Sequence, residues 1–168
     1  MEVSERSLKE IDDHDLCRLS SLAFEDLLGL YRRRPETARL YADSLMVLTL
    51  CQGAAEHYLR GKSGIKDFDV WAFFRANSER PFPFRRRGKM DFGESKFGKH
   101  PNDATFSGRR VDVIGRSIEV RQGQDGPDAV KVWPSARRTQ SARLIRMRPV
   151  IVIYPASLRG TLLWDPVS

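Results

Sequence analysis

The stretch Asp67–Phe74, DFDVWAFF, constrains the fold more than any other part of the chain. Every residue from Val70 to Phe74 is apolar, so both faces of an extended segment would be apolar. This pattern is typical of a strand that is covered on both sides of a sheet. Two aspartates separated by one residue precede it, and buried carboxylates are costly unless a positive charge offsets them. The stretch therefore predicts a central strand that begins beside a positive charge.

The other apolar patterns predict helices and further strands around that central strand. The run Leu45–Cys51 fits a strand or a helix by its pattern alone, and Gly53 after it favours a strand followed by a tight turn. The predicted elements are, in chain order, helices over residues 15–33 and 36–43, a strand over 45–51, a helix from Ala54, strands over 68–74 and 109–120, a basic helix opened by Pro134, and a strand over 149–155. Helices and strands alternating in this way predict an α+β (mixed α/β) fold with one small mixed sheet.

The length of 168 residues predicts a single domain. We divide it into N-terminal helices (1–44), a core (45–75 and 108–156) and a long insertion (76–107). The insertion is rich in Gly, Pro and charge, and we expect a hairpin around Gly88. No apolar stretch is long enough to span a bilayer and the first residues are charged, so we expect a cytoplasmic protein without a membrane partner.

A formal net charge of +7, carried mainly by arginine, suits a partner that contains phosphate. The same composition also fits arginines that are simply solvated. Two basic segments, 85–89 and 137–148, are candidates for binding nucleic acid. Phenylalanines interleave with charge around the first segment, at Phe82, Phe84, Phe92 and Phe97. They fit either stacking on bases or packing of the insertion against the body of the protein.

Three aspartates carry the chemistry that the sequence suggests. Asp67 and Asp69 lie two residues apart, so on a strand they project from one face. Asp112, in RVDVIG, is also flanked by apolar residues within a predicted strand. Carboxylates gathered in a dry site repel one another, and Mg²⁺ or Mn²⁺ relieves that repulsion. The alternative is that Asp67 caps or turns the loop and that Asp69 and Asp112 pair with arginines such as Arg109 or Arg110.

Order and spacing together make this chain similar to the DNA-polymerase-beta-like nucleotidyltransferase superfamily in its minimal single-domain form. The family pattern is an apolar strand, a Gly-Gly or Gly-Ser turn, about nine to thirteen residues, a paired-acid element and a later lone acid. Gly53-Ala54-Ala55 corresponds to the turn, Asp67-Phe68-Asp69-Val70 to the paired acids and Val111-Asp112-Val113 to the lone acid. Eleven residues separate the turn from Asp67.

The resemblance implies a nucleotidyltransferase-like fold and a role for each matching residue. Asp67 and Asp69 would hold the Mg²⁺ or Mn²⁺ ions that bind the triphosphate, and Asp112 would complete the second metal site and help deprotonate the attacking hydroxyl. The backbone at Gly53, Ala54 and Ala55 would approach the phosphates, and Lys62 or Lys66 could touch one of them. Ala54 departs from the family pattern, because Gly or Ser is expected there.

Two functions follow as expectations. The first is transfer of a nucleotidyl group from a nucleoside triphosphate to an acceptor hydroxyl, with the triphosphate as the principal partner. The second, motivated by Ala54 and the basic insertion, is a catalytically inactive module of the same fold that binds nucleic acid or a protein. The sequence leaves open the acceptor, the base preference and the oligomeric state, including a partner subunit that completes the acceptor pocket.

Overall fold

The computed structural model describes residues 5–83 and 87–167. These residues form the α-helices α1 (Asp13–Arg33), α2 (Pro35–Tyr41), α3 (Gln52–Arg60), α4 (Gly126–Ala136) and α5 (Gln140–Arg146), and the strands β1 (Leu45–Cys51), β2 (Phe68–Arg75), β3 (Arg87–Asp91), β4 (Arg110–Ile118), β5 (Val150–Tyr154) and β6 (Leu162–Trp164). The strands make one sheet in the order β3-β4-β2-β1-β5-β6. Only the pair β2–β4 is parallel among the described strand pairs. The predicted mixed α/β class is therefore confirmed.

The strand β2 lies inside the sheet, between β4 and β1, as its apolar run predicts. Side chains alternate along it, so the two faces contact different helices. Phe68, Val70 and Phe74 belong to a core that also contains the apolar faces of α1, α2 and α3. Trp71 and Phe73 belong to a second core formed with α4 and α5. The protein is thus a sheet with a helical layer on each face.

The insertion differs from its prediction in one respect. Gly88 lies within β3, which pairs antiparallel with β4, so it is not at the turn of a hairpin. A Cβ atom at Gly88 would collide with the carboxylate of Asp26 in α1, and this close approach of strand and helix explains the glycine. The connection between β3 and β4 is the longer segment 92–109.

The aromatic residues of the insertion pack on the body of the protein. Phe82 stacks on Phe74 with ring centroids 4.2 Å apart, and Phe92 stacks on Phe68 at 5.1 Å. Phe82, Phe92 and Phe97 are all at most 6% exposed, so they are not available to stack on bases. The packing alternative is confirmed for these three residues, whereas Phe84 lies outside the described residues.

The prediction of a basic helix that begins at Pro134 is wrong. Helix α4 begins eight residues earlier, where the side chain of Asp125 accepts a hydrogen bond from the backbone N–H of Asp128. Pro134 lies in the last turn of α4, and α5 starts separately with Thr139 as its N-cap. The sequence GQDGPD resembles a turn, but in the structure it supplies the cap and the first turn of α4.

No helix within residues 5–83 and 87–167 combines the length and the apolar character needed to cross a membrane.

We predict that Gly115→Ala lowers the free energy of unfolding by about 2 kcal/mol. Gly115 lies in β4, and a Cβ atom there would overlap the buried ring of Phe82. The matched control is Gly29→Ala in α1, where the new Cβ would lie 3.2 Å from the flexible end of Arg33 and helix propensity would improve. Urea denaturation measures both variants, and equal stabilities would contradict the packing described here.

Candidate functional site

A polar cavity of about 200 Å³ lies where β1 ends and α3 begins. Its lining combines positively charged residues, acids and the turn that precedes the helix: Arg6, Gln52, Gly53, Ala54, Lys66, Asp67, Asp69 and Arg148. We call it the α3 cavity. The glycine turn and the paired acids, which the sequence analysis linked by spacing alone, therefore lie in one place.

Strand pairing explains why the glycine turn and the paired acids lie close together. The strands β1 and β2 are antiparallel, and Cys51, the last residue of β1, lies opposite Asp69. The turn after β1 must then lie beside the beginning of β2. On the other side of β2, the parallel strand β4 places Asp112 directly opposite Asp69. All three aspartates thus stand at one end of the sheet.

The turn itself has an unusual backbone. Gln52 has a φ of +59°, a conformation that residues other than glycine adopt rarely and at a cost. Its side-chain Nε2 is buried and has no hydrogen-bond partner among residues 5–83 and 87–167. A strained backbone beside an unsatisfied polar atom is more common at functional sites than elsewhere in a fold.

Gly53 is not required by packing. A Cβ atom at this position would lie 3.6 Å from Nη1 of Arg6, which is an ordinary contact, and φ at Gly53 is not positive. The missing side chain instead leaves the backbone at the start of α3 open to the cavity. Within the described residues no side chain caps α3, and the first N–H groups of an uncapped helix are groups that an anion can bind.

The three aspartates differ in exposure and in their contacts. Asp112 is 1% exposed, whereas Asp67 and Asp69 are partly exposed and line the cavity. Arg110 approaches two of them, with Nη2 at 3.1 Å from Oδ2 of Asp67 and Nε at 3.2 Å from Oδ1 of Asp112. The predicted pairing with an arginine is therefore confirmed for Asp112, whereas the contact of Asp67 with Arg110 was not predicted.

Arg109, the other arginine considered from the sequence, does not pair with the acids through hydrogen bonds. Its guanidinium is buried and donates to the backbone carbonyls of Glu5, Lys66 and Phe97. Burial lowers the pKa of Arg109, while the negative charge of Asp67 acts in the opposite direction. Arg109 thus ties the N-terminal segment and the insertion to the start of β2.

Within the described residues, the group of metal-type side chains with ligand atoms within 4.8 Å of one another is Asp12, His14 and Asp15. Asp67, Asp69 and Asp112 are not packed that tightly. The cluster of Asp12, His14 and Asp15 lies at the start of α1, where Asp12 and Asp15 form a capping box. Lys96 Nζ lies 3.1 Å from the carboxylate of Asp12 and 2.9 Å from that of Asp15, so these acids already have a structural role. The backbone N–H of Asp15 and then Lys96 lower the pKa of Asp12 to about 2.

Cys51 faces the same side of the sheet as Asp69, but its thiol is not reactive. Burial raises the pKa of its thiol to about 12, a hydrogen bond with Thr49 lowers it in part, and the charge of Asp69 raises it. The thiol is therefore protonated at neutral pH, and Cys51 is a packing residue and not a nucleophile.

The remaining predicted phosphate contacts divide into two groups. Gly53, Ala54 and Lys66 line the α3 cavity. Ala55 is fully buried in the core, and Lys62 is exposed beyond the other end of α3, so neither contributes to the lining.

The basic segments contribute little to this cavity. Of segment 137–148, only Arg148 lines it, and Arg146 instead donates to the carbonyls of Pro134 and Arg137. Residues 85 and 86 of the other segment lie outside the described residues. Sequence reasoning missed Arg6, because nothing local shows that Ser7 bridges to Ile65 and brings the N-terminal segment beside the cavity. It also missed the strained turn at Gln52.

None of the protein-family models, curated proteins or solved structures that were compared matches this chain.

We predict that Arg110→Met lowers the free energy of unfolding by about 3 kcal/mol, because the buried Asp112 would lose its ion pair with Arg110. Arg138→Met is the control, since Arg138 is exposed between α4 and α5. Chemical denaturation at neutral pH measures both. A stability of Arg110→Met equal to that of the control would show that Arg110 does not offset these acids.

Proposed function

We propose that the protein is a metal-dependent nucleotidyltransferase that uses the α3 cavity to bind a nucleoside triphosphate. The observation that carries this proposal is the cavity itself, where an uncapped helix N-terminus, the turn at Gly53 and the acids Asp67 and Asp69 come together. The family resemblance of the sequence requires this combination in space, and the strand pairing supplies it.

The charges of the cavity suit a triphosphate. Arg6, Lys66 and Arg148 provide positive charge, and the first N–H groups of α3 add a partial positive charge. The open backbone at Gly53 allows a phosphate to approach closely. Ala54 offers no hydroxyl, so phosphate recognition at the turn rests on backbone N–H groups and on these cations.

The acids fit a divalent cation by donor type, although their ligand atoms do not all lie within 4.8 Å of one another. Asp67 and Asp69 line the cavity, and Asp112 lies directly beside Asp69 in the sheet. Carboxylate oxygens are the ligands that Mg²⁺ and Mn²⁺ prefer, and the bound ion would neutralise phosphate charge during the displacement. Asp67 and Asp69 would hold it, and Asp112 would join them once Arg110 releases its carboxylate.

In the proposed reaction an acceptor hydroxyl attacks the α-phosphorus of the triphosphate. The new bond joins the acceptor oxygen to that phosphorus, the bond to the bridging oxygen breaks, and pyrophosphate leaves with the electron pair. Asp112 takes the proton of the hydroxyl. Arg6, Lys66 and Arg148 hold the triphosphate in position.

One observation favours the second candidate, a catalytically inactive module of the same fold. Arg110 contacts Asp67 and Asp112, so the chain itself places a positive charge among the acids. If this ion pair persists when ligands bind, the acids serve stability alone. The α3 cavity would then bind a phosphate of a nucleic acid or the acidic side chain of a protein through Arg6, Lys66 and Arg148.

Isothermal titration of ATP tests the proposal. We predict that ATP binds in the presence of Mg²⁺ and that the double variant Asp67→Asn, Asp69→Asn loses this metal-dependent binding by at least about tenfold in Kd. The control, Asp13→Asn, Asp43→Asn, removes the same charge from exposed positions. No ATP binding by the wild type, or binding that is indifferent to both Mg²⁺ and the double variant, would contradict the enzyme proposal.

A further inference from the structure

A second and larger cavity, of about 600 Å³, lies on the α4 side of the sheet. Its walls are the end of β4, the helix α4 and the segments that follow β2, β4 and α4. The lining residues are Ala76, Asn77, Pro81, Arg116, Ser117, Ile118, Glu119, Arg121, Gln124, Ala129, Val132, Trp133, Ala136, Arg137 and Thr139. We call it the α4 cavity. Its size is typical of pockets for small organic ligands.

The charge of this lining is strongly unbalanced. Three arginines, Arg116, Arg121 and Arg137, face one acid, Glu119. The contact between Arg137 Nη2 and Glu119 Oε2 is 3.8 Å long, and both side chains are more than half exposed. A pair of this kind offsets little charge. The cavity is therefore positive.

Arg116 is held in place at the inner wall. Its guanidinium lies 5.5 Å from the centre of the Trp133 ring, and it is partly buried. Burial lowers the pKa of Arg116, and the positive charge of Arg137 lowers it further. Two guanidinium groups that repel each other in a partly dry cavity are the groups that a bound anion would stabilise.

The α4 cavity is separate from the α3 cavity. Arg116 lies opposite Phe73 near the end of β2, whereas Asp112 lies opposite Asp69 near its beginning. Four residues along a strand correspond to about 13 Å. The two cavities share no lining residue.

We propose that the α4 cavity is a binding site for a phosphorylated small molecule of mononucleotide size. Arg116 and Arg137 bind the phosphate, and the apolar wall of Pro81, Ile118 and Val132 receives the organic part of the ligand. Arginine is suited to this role because its planar fork makes paired hydrogen bonds to phosphate oxygens. An inorganic phosphate ion would contact the arginines but not the apolar wall, so a ligand with an organic part fits the cavity better.

The test is isothermal titration of AMP in EDTA, so that no divalent cation supports binding at the α3 cavity. We predict that AMP binds and that Arg116→Gln and Arg137→Gln each raise its Kd about tenfold. Arg138→Gln is the matched control, because Arg138 is exposed next to Arg137 but does not line the cavity. Arg137 is 53% exposed, so its replacement leaves the core intact.

The double variant Asp67→Asn, Asp69→Asn separates this proposal from the enzyme proposal. It should bind AMP in EDTA as the wild type does, because both substitutions lie in the α3 cavity. Inorganic phosphate and adenosine, titrated separately, should each bind at least about tenfold more weakly than AMP. Absence of AMP binding, an equal Kd in the Arg116, Arg137 and Arg138 variants, or phosphate binding as tight as that of AMP would overturn the proposal.

Discussion

The parallel pairing of β2 with β4 is the constraint on which the grouping of the three acids and the position of the α4 cavity depend. It runs in register from Phe68 opposite Val111 to Arg75 opposite Ile118. At one end the pairing sets Asp69 beside Asp112, and at the other it sets Arg116 beside Phe73 and under Trp133. A shift of one residue would turn every side chain of β4 to the other face. Asp112 and Arg116 would then enter the core beneath α1.

The burial of Asp112 explains why Arg110 lies beside it. A carboxylate that is 1% exposed needs a positive partner, and Arg110, two residues earlier on the strand, supplies it while also contacting Asp67. In the proposed reaction a divalent cation would offset part of this negative charge in place of Arg110. The two proposed functions thus differ in the positive charge that lies beside the acids when ligand is bound. It is a divalent cation in the enzyme and Arg110 in the inactive module.

Much of the fold could be predicted because the relevant patterns are local. The apolar run of β2, the leucine spacing of α1 and the glycine after β1 each indicate their element, and the three acids stand where their strands begin. Other features depend on distant contacts. Gly88 is explained by Asp26, the phenylalanines of the insertion by the core beneath them, and Arg6 by the bridge from Ser7 to Ile65. The start of α4 was missed because GQDGPD has the composition of a turn.

The most direct test of the central claim, that the α3 cavity is a centre for nucleotidyl transfer, is a crystal structure with Mn²⁺ and an ATP analogue that resists cleavage between its α- and β-phosphates. The account predicts an anomalous Mn²⁺ peak in contact with Asp67 and Asp69, the triphosphate against the N-terminus of α3, and Arg110 moved away from Asp112. A structure in which Arg110 keeps its contacts with Asp67 and Asp112 and no Mn²⁺ peak lies at the aspartates would contradict it.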